Sequence, residues 1–296
     1  MFQYMLAGAL AERIGDHSIV GHKLPQWGIE APIKPRDMSA LRGQPIVLSG
    51  HRFSLGKIAK KMKSDRSVSA KIIGWGCRLE YFSKSRAKWM KVFQPTSPVP
   101  FSCFGEEYLV IHVRGEDILT GKHTGYVPTP LSFIEHVARQ TRLKLVFVGQ
   151  IDESEYCNLL RTRFPRSVFS PNASALSDFE TLRHSSNLLI SVSTFSWLAS
   201  WLSETARVIH FPMLGIFNPF QRPDIDLMPI EDKRYKFYEF PVVKWSGKLA
   251  ELERFRFREI RPVEAYLTRY KTRVRNALHD LRTALDRTIM TGIHSR

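Results

Sequence analysis

From about residue 107 onward, short apolar runs alternate with longer amphipathic stretches. The apolar runs are YLVIHV (108–113), KLVFVG (144–149), SVFS (167–170), NLLISV (187–192) and RVIHF (207–211). Helix-length segments with one apolar side lie between them, near 131–141, 153–163, 178–185 and 194–204. Continuous β-branched runs separated by helices predict a parallel sheet covered on both faces. In open sheets of this kind, ligands bind beyond the carboxyl ends of the strands.

The pattern before residue 104 is less regular. It predicts a helix at FQYMLAGALAERIG, a strand at HSIVG (17–21), a Pro-rich connection, a strand at PIVLSG and a lysine-rich segment. We read 1–103 as an N-terminal α/β domain, 104–245 as a Rossmann-like domain and 246–296 as a basic, amphipathic helical extension. SPVPFSCF (97–104) is the linker between the first two. In the extension, Pro262 suits a first helical turn. Leu267, Tyr270, Val274, Leu278, Leu281, Leu285 and Ile289 then recur at spacings of three and four, giving one apolar face expected to pack on the body of the protein, with a membrane-surface or dimer helix as the lesser alternative.

Composition narrows the class. A chain of 296 residues that is 43% hydrophobic and 11% aromatic is globular rather than disordered. Three cysteines without metal-type spacing argue against a disulfide framework and predict a reducing compartment. Met1 leads into an amphipathic pattern rather than a secretory signal. The run LLISVSTFSWLASWL (188–202) is shorter than a membrane span and holds five Ser/Thr, so it reads as a strand turning into a helix. A soluble, cytoplasmic protein is expected.

The formal charge of +16 is unevenly placed. Residues 51–91 hold 12 Lys/Arg against 2 acids, and residues 246–296 hold 12 against 6, so the remainder is balanced. The basic segment SLGKIAKKMKSDR (54–66) fits either a solvated face or peripheral contact with an anionic membrane, such as the inner face of a bacterial inner membrane. Nucleic acid is the rival partner. Against it, the basic segments lack interleaved aromatic platforms, and no helix-turn-helix or finger signature is present.

Within the balanced middle, LVIHVRGEDILTG (109–121) ends an apolar strand in His112, Arg114, Glu116 and Asp117. Alternation places His112 and Arg114 on one side. A guanidinium there can grip a phosphate with paired, charge-assisted bonds, or it can simply pair with Glu116 or Asp117. The turn Ser193-Thr194-Phe195-Ser196 opens a helix, where hydroxyls and free N–H groups suit either an anion or plain capping. Asp178, opening the preceding helix, can cap it or accept hydrogen bonds from the N–H edge of a guanine. No paired acids with metal-ligand spacing are visible.

Taken together these segments resemble the α1,2-fucosyltransferases and their GDP-fucose-using relatives. His112-Val113-Arg114-Gly115-Glu116-Asp117 is similar to that family's HxRRGD, SVSTFSWLASWL to its SNSTFSWWGAWL, and MFQYMLAGALAERIG to the helix that follows its glycine-rich GLGN loop. The matches fall in family order from residue 1 to about 205. Departures are Gly115 for the second arginine, Glu116 for the glycine, Val192 for an asparagine and Leu198 for a tryptophan, and the GLGN loop would fall before Met1.

The resemblance implies a GT-B-like α/β fold, with two Rossmann-like domains facing a cleft and C-terminal helices. The first domain would form the acceptor side. It also implies inverting transfer of fucose from GDP-β-L-fucose to a hydroxyl of a glycan or lipid-linked saccharide, without a metal or other cofactor. His112, Arg114, Asp178, Ser193, Thr194 and Ser196 would hold the nucleotide sugar, with Arg114 and Asp117 as the catalytic pair. The base stays unassigned between Glu116 and Asp117, because a carboxylate held by a guanidinium is a poor base. Other readings are a GT-B transferase with another donor, an inactive relative and a basic nucleic-acid-binding protein.

Overall fold

The structure, a computed structural model, describes residues 1–15, 18–31, 44–170 and 174–293. The N-terminal part contains helix α1 (Phe2–Ile14), an antiparallel pair β1 (His22–Leu24) and β2 (Ile29–Ala31), and a parallel pair β3 (Ile46–Leu48) and β4 (Ala70–Ile72). Helices α2 (Leu55–Ser64) and α3 (Arg86–Val92) complete it. The strand expected at HSIVG is displaced: residues 18–20 are irregular and β1 begins at His22. Gly21, at φ 74°, takes the left-handed backbone and breaks any extended run through it.

The rest of the chain builds one sheet of seven strands in the order β11-β10-β9-β8-β5-β6-β7. These are β5 (Tyr108–Val113), β6 (Lys144–Gly149), β7 (Val168–Phe169), β8 (Asn187–Leu189), β9 (Val208–Met213), β10 (Tyr235–Glu239) and β11 (Arg258–Ile260). All pairs are parallel except β10 with β11. The antiparallel edge strand β11 lies within 246–296, read as a helical extension, just ahead of the helix expected from Pro262. Helices α4 (Leu131–Thr141), α5 (Glu155–Arg163), α6 (Ala175–Arg183) and α7 (Thr194–Leu202) connect or follow the strands. The chain begins at β5 in the middle, works outward to β7, then returns to β8 on the other flank. The carboxyl ends of β5 and β8 therefore flank a topological switch point, where a crevice opens in doubly wound sheets.

The N-terminal part is bound firmly to this sheet. Phe2 and Phe82 meet Trp197 of α7, with ring centroids 5.6 and 6.2 Å apart. Arg86 donates to the carbonyls of Trp201 and Ser203, satisfying the open end of α7. Arg183, at the end of α6, donates in turn to the carbonyls of Met90 and Phe93. One buried apolar cluster accordingly runs from Phe2 to Ala265.

The last helix, α8 (Pro262–Ile293), departs from expectation. From Val263 to Leu278 its apolar face does not pack on the body. Ala265 and Thr272 are buried, and Arg269, Arg273 and Asn276 reach into the loop that follows β9. Val263, Tyr266, Leu267, Tyr270, Val274 and Leu278 are exposed. The physical reason is the buried carboxylate of Asp226, which takes Arg269 Nε at 2.8 Å and Arg273 Nη2 at 2.6 Å. A buried charge must be paired, and pairing it turns the polar side of the helix inward. Among the described residues no helix is long and apolar enough to cross a membrane.

Candidate functional site

The site is built at the switch point by three strand-end loops. β5 delivers His112 and Arg114. Gly149, ending β6 at φ 120°, leaves room for them: a side chain there would meet the carbonyl of Val113 at 2.4 Å and the His112 ring at 3.2 Å. β8 stops at Leu189, earlier than NLLISV suggests, because the chain folds into a tight turn with Ser193 N–H on the carbonyl of Ser191 at 2.7 Å.

That turn and the end of β5 are in direct contact. A 2.6 Å hydrogen bond joins His112 Nδ1 to Ser191 Oγ, and the imidazole stacks on Phe195 at 5.5 Å. Burial, and next to it the nearby Arg114 charge, pushes the His112 pKa down to about 3, so this imidazole is neutral at physiological pH. A neutral ring can orient neighbours by hydrogen bonding and leaves the positive charge of the strand end to Arg114.

The two alternatives drawn for Arg114 both find a counterpart. Its Nη2 donates to both carboxylate oxygens of Asp117, at 2.9 and 3.0 Å, which is the simple ion pair. Yet the side chain is 30% exposed, and its Nε, shielded from solvent, has no partner among the described residues. The guanidinium is therefore only partly satisfied. Glu116 sits beside it in the left-handed region at φ 47°, a conformation that costs a non-glycine residue about 1–2 kcal/mol and turns its exposed side chain away from the strand.

Of the hydroxyls in the turn, only that of Thr194 stays partly open. Ser193 Oγ accepts from Phe195 N–H at 3.3 Å, which is capping. Ser196 is fully buried, and its hydroxyl donates to the carbonyls of Ser191 and Ser193. An anion at this helix start would meet Thr194 and backbone N–H groups rather than the two serine hydroxyls.

Asp178 lies in the first turn of α6, on the same edge of the sheet. Its neighbour Phe179 packs edge-on against Phe195 at 5.5 Å. The cap itself is Ser174, whose side chain accepts from Ser177 N–H, so Asp178 is not the capping residue. Only 6% exposed, its carboxyl is pushed up to about 6 by desolvation. A folded-state value above the ordinary 3.8 means that the native state holds this proton more tightly, so stability falls as pH rises through about 6. Asp178→Asn is expected to stabilise the protein by about 1–3 kcal/mol above that range and to leave it unchanged near pH 4. Urea unfolding at the two pH values checks this; equal stabilities of variant and wild type at both would refute the desolvated carboxyl.

Sequence reasoning missed the third loop, QRPDID (221–226), which follows β9. Arg222 binds Asp224 through two nitrogens, at 2.9 and 2.7 Å. His51 Nε2 is 4.0 Å from Asp224, and its Nδ1 accepts from Cys77 N–H. Burial holds this histidine below its ordinary value. The Tyr126 phenol, raised chiefly by burial, lies within electrostatic reach of both Arg114 and Arg222. Arg222 thus shares Tyr126 with Arg114 as a charged neighbour, although Gly115 occupies the motif's second-arginine position. The rule that found Arg114, charged residues just past a buried strand, does not reach QRPDID, which begins eight residues after β9 ends at Met213. Cys77 is no nucleophile, because burial pushes its thiol up to about 12.

No family model, curated protein or solved structure matches this chain. The chemistry must be argued from these residues themselves. They offer a half-satisfied guanidinium, a helix start with a partly open hydroxyl and a desolvated carboxyl, all at the carboxyl edge of the sheet. Such a set can hold an anionic group at its centre and a hydrogen-bond-donating ring to one side.

Proposed function

We propose that this protein is an inverting glycosyltransferase with a GT-B-like arrangement, taking its sugar from a nucleoside-diphosphate donor, GDP-fucose first among them. The observation that carries this reading is the His112–Ser191 hydrogen bond. It ties the strand end bearing Arg114 to the helix-opening turn across the switch point, the two walls a diphosphate needs. The resemblance to HxRRGD and SNSTFSWW supports fucose as the sugar, and the desolvated Asp178 supports guanine as the base.

In the reaction, an acceptor hydroxyl oxygen bonds to the anomeric carbon while the bond from that carbon to the diphosphate oxygen breaks, with inversion. The hydroxyl proton passes to a base and the electron pair leaves on the diphosphate. Arg114 and the hydroxyl and N–H of Thr194 receive that charge. Asp117 must swing away from Arg114 or share it when the diphosphate arrives, so it is not free to serve as base while the pair is intact.

Thermal-shift measurements with GDP, UDP and ADP test the reading. GDP at a hundredfold excess over its dissociation constant is expected to add about 2.7 kcal/mol of apparent stability, with smaller shifts from the other two. A preference for UDP would remove Asp178 as the guanine reader, and no response to any nucleotide would remove the crevice. A second reading, a nucleotide-sugar binder without transfer, is favoured by the Arg114–Asp117 pair. Its mark would be a GDP shift with no product from GDP-fucose.

A further inference from the structure

The C-terminal helix is turned inside out relative to an ordinary surface helix. Ala265, Arg269, Thr272 and Asn276, spaced four, three and four apart, face the body. The opposite stripe of Val263, Tyr266, Leu267, Tyr270, Val274 and Leu278 is open, with Val263 61% and Leu278 62% exposed. Among the described residues nothing covers it. In the sequence the same spacing continues at Leu281, Leu285 and Ile289. Singly exposed apolar residues are ordinary, but an aligned stripe over several turns marks an interaction surface.

We propose that α8 is a membrane-surface helix that lies along an anionic lipid bilayer, its apolar stripe at the boundary between headgroups and acyl chains. Charge decides the occupant. Residues 246–296 carry 12 Lys/Arg against 6 acids, and setting aside Arg269 and Arg273, which turn inward to Asp226, still leaves 10 against 6. Arg254, Arg256, Arg258, Arg261 and Lys271 are exposed in this stretch, beside the exposed acids Glu253, Glu259 and Glu264. A second copy docked on the stripe would set this excess against itself, whereas anionic headgroups attract it. The two tyrosines suit the headgroup level, where amphipathic rings collect. The helix is not apolar enough to span, so it lies on the surface.

Flotation of the full chain with vesicles tests this independently of the crevice. Wild type is expected to float with vesicles of phosphatidylglycerol and phosphatidylcholine, less with phosphatidylcholine alone, and less as salt is raised. Val274→Glu combined with Leu278→Glu is expected to weaken binding about tenfold or more, because each loses a buried apolar contact and adds a repelled charge. Both sites are exposed, so the variant should keep its melting temperature and its GDP response. Failure of wild type to float at low salt would overturn the proposal, as would equal flotation of the variant or equal affinity for neutral vesicles. A dimer mass by light scattering without lipid, returned to monomer by the variant, would assign the stripe to a second copy instead.

Discussion

Replacing Arg114 by alanine is expected to lower transfer from the sugar nucleotide about a hundredfold while leaving the melting temperature nearly unchanged. The two halves of this result come from different properties of one side chain. Its bond to Asp117 is a partly exposed ion pair, and such pairs contribute about 0–1 kcal/mol to folding. Its Nε is shielded from solvent and without a partner among the described residues, and a preorganised donor of that kind is worth far more to a departing diphosphate than to the resting protein. Steady-state rates with GDP-fucose, set beside thermal melts, separate the two. Near-normal turnover in the folded variant would remove Arg114 from the reaction. Arg114→Lys restores the charge without the fork and should recover only part of the rate.

Asp226→Ala carries the largest expected loss of stability, about 3–5 kcal/mol. This carboxylate is buried and gathers Arg269 and Arg273, with Arg78 Nη2 at 3.8 Å. Its backbone also holds the N-terminal part in place: Leu79 N–H bonds its carbonyl at 2.7 Å, and its own N–H bonds the carbonyl of Cys77 at 3.0 Å. Removing the carboxylate leaves converging guanidiniums with only Glu80 near them, which meets Arg78 at 2.7 Å and Arg273 at 3.2 Å. The control is Arg273→Ala, a 43% exposed partner, for which a loss of about 1 kcal/mol is expected. Denaturant midpoints of the two variants give the comparison. Equal small losses would mean that solvent screens the whole network.

Five of the seven strands, β5 to β9, were legible as short apolar runs; β10 and β11 were not, because YKFYE mixes apolar with charged residues and the edge strand REI is largely exposed. The crossover helices between them carry a clear apolar side. Legibility failed where tertiary demands override pattern. The α8 stripe is amphipathic by any sequence measure, yet its orientation depends on Asp226, a residue far away in the chain. β1 shifts because one glycine takes a left-handed backbone. At the site, the pattern placed His112 within the strand, but Arg114 lies one residue beyond β5, where alternation no longer governs direction, and its pairing with Asp117 is a property of the loop. The serines of the STFS turn looked like ligand groups because capping and anion binding use the same chemistry; only the partners of each hydroxyl separate them.

Arg86 and Arg183 fasten the two parts of the molecule by reaching main-chain carbonyls, not side chains. The carbonyls at 90, 93, 201 and 203 ask nothing of the side chains that bear them, since every amino acid offers the same acceptor. Phe93 and Trp201 are held instead by their own packing, against Trp27 at 5.4 Å and Phe82 at 5.7 Å. The two arginines have no substitute: lysine cannot reach two carbonyls at once with a planar fork. The joint therefore combines a polar clasp, strict in its donors, with an aromatic seam, strict in its volume.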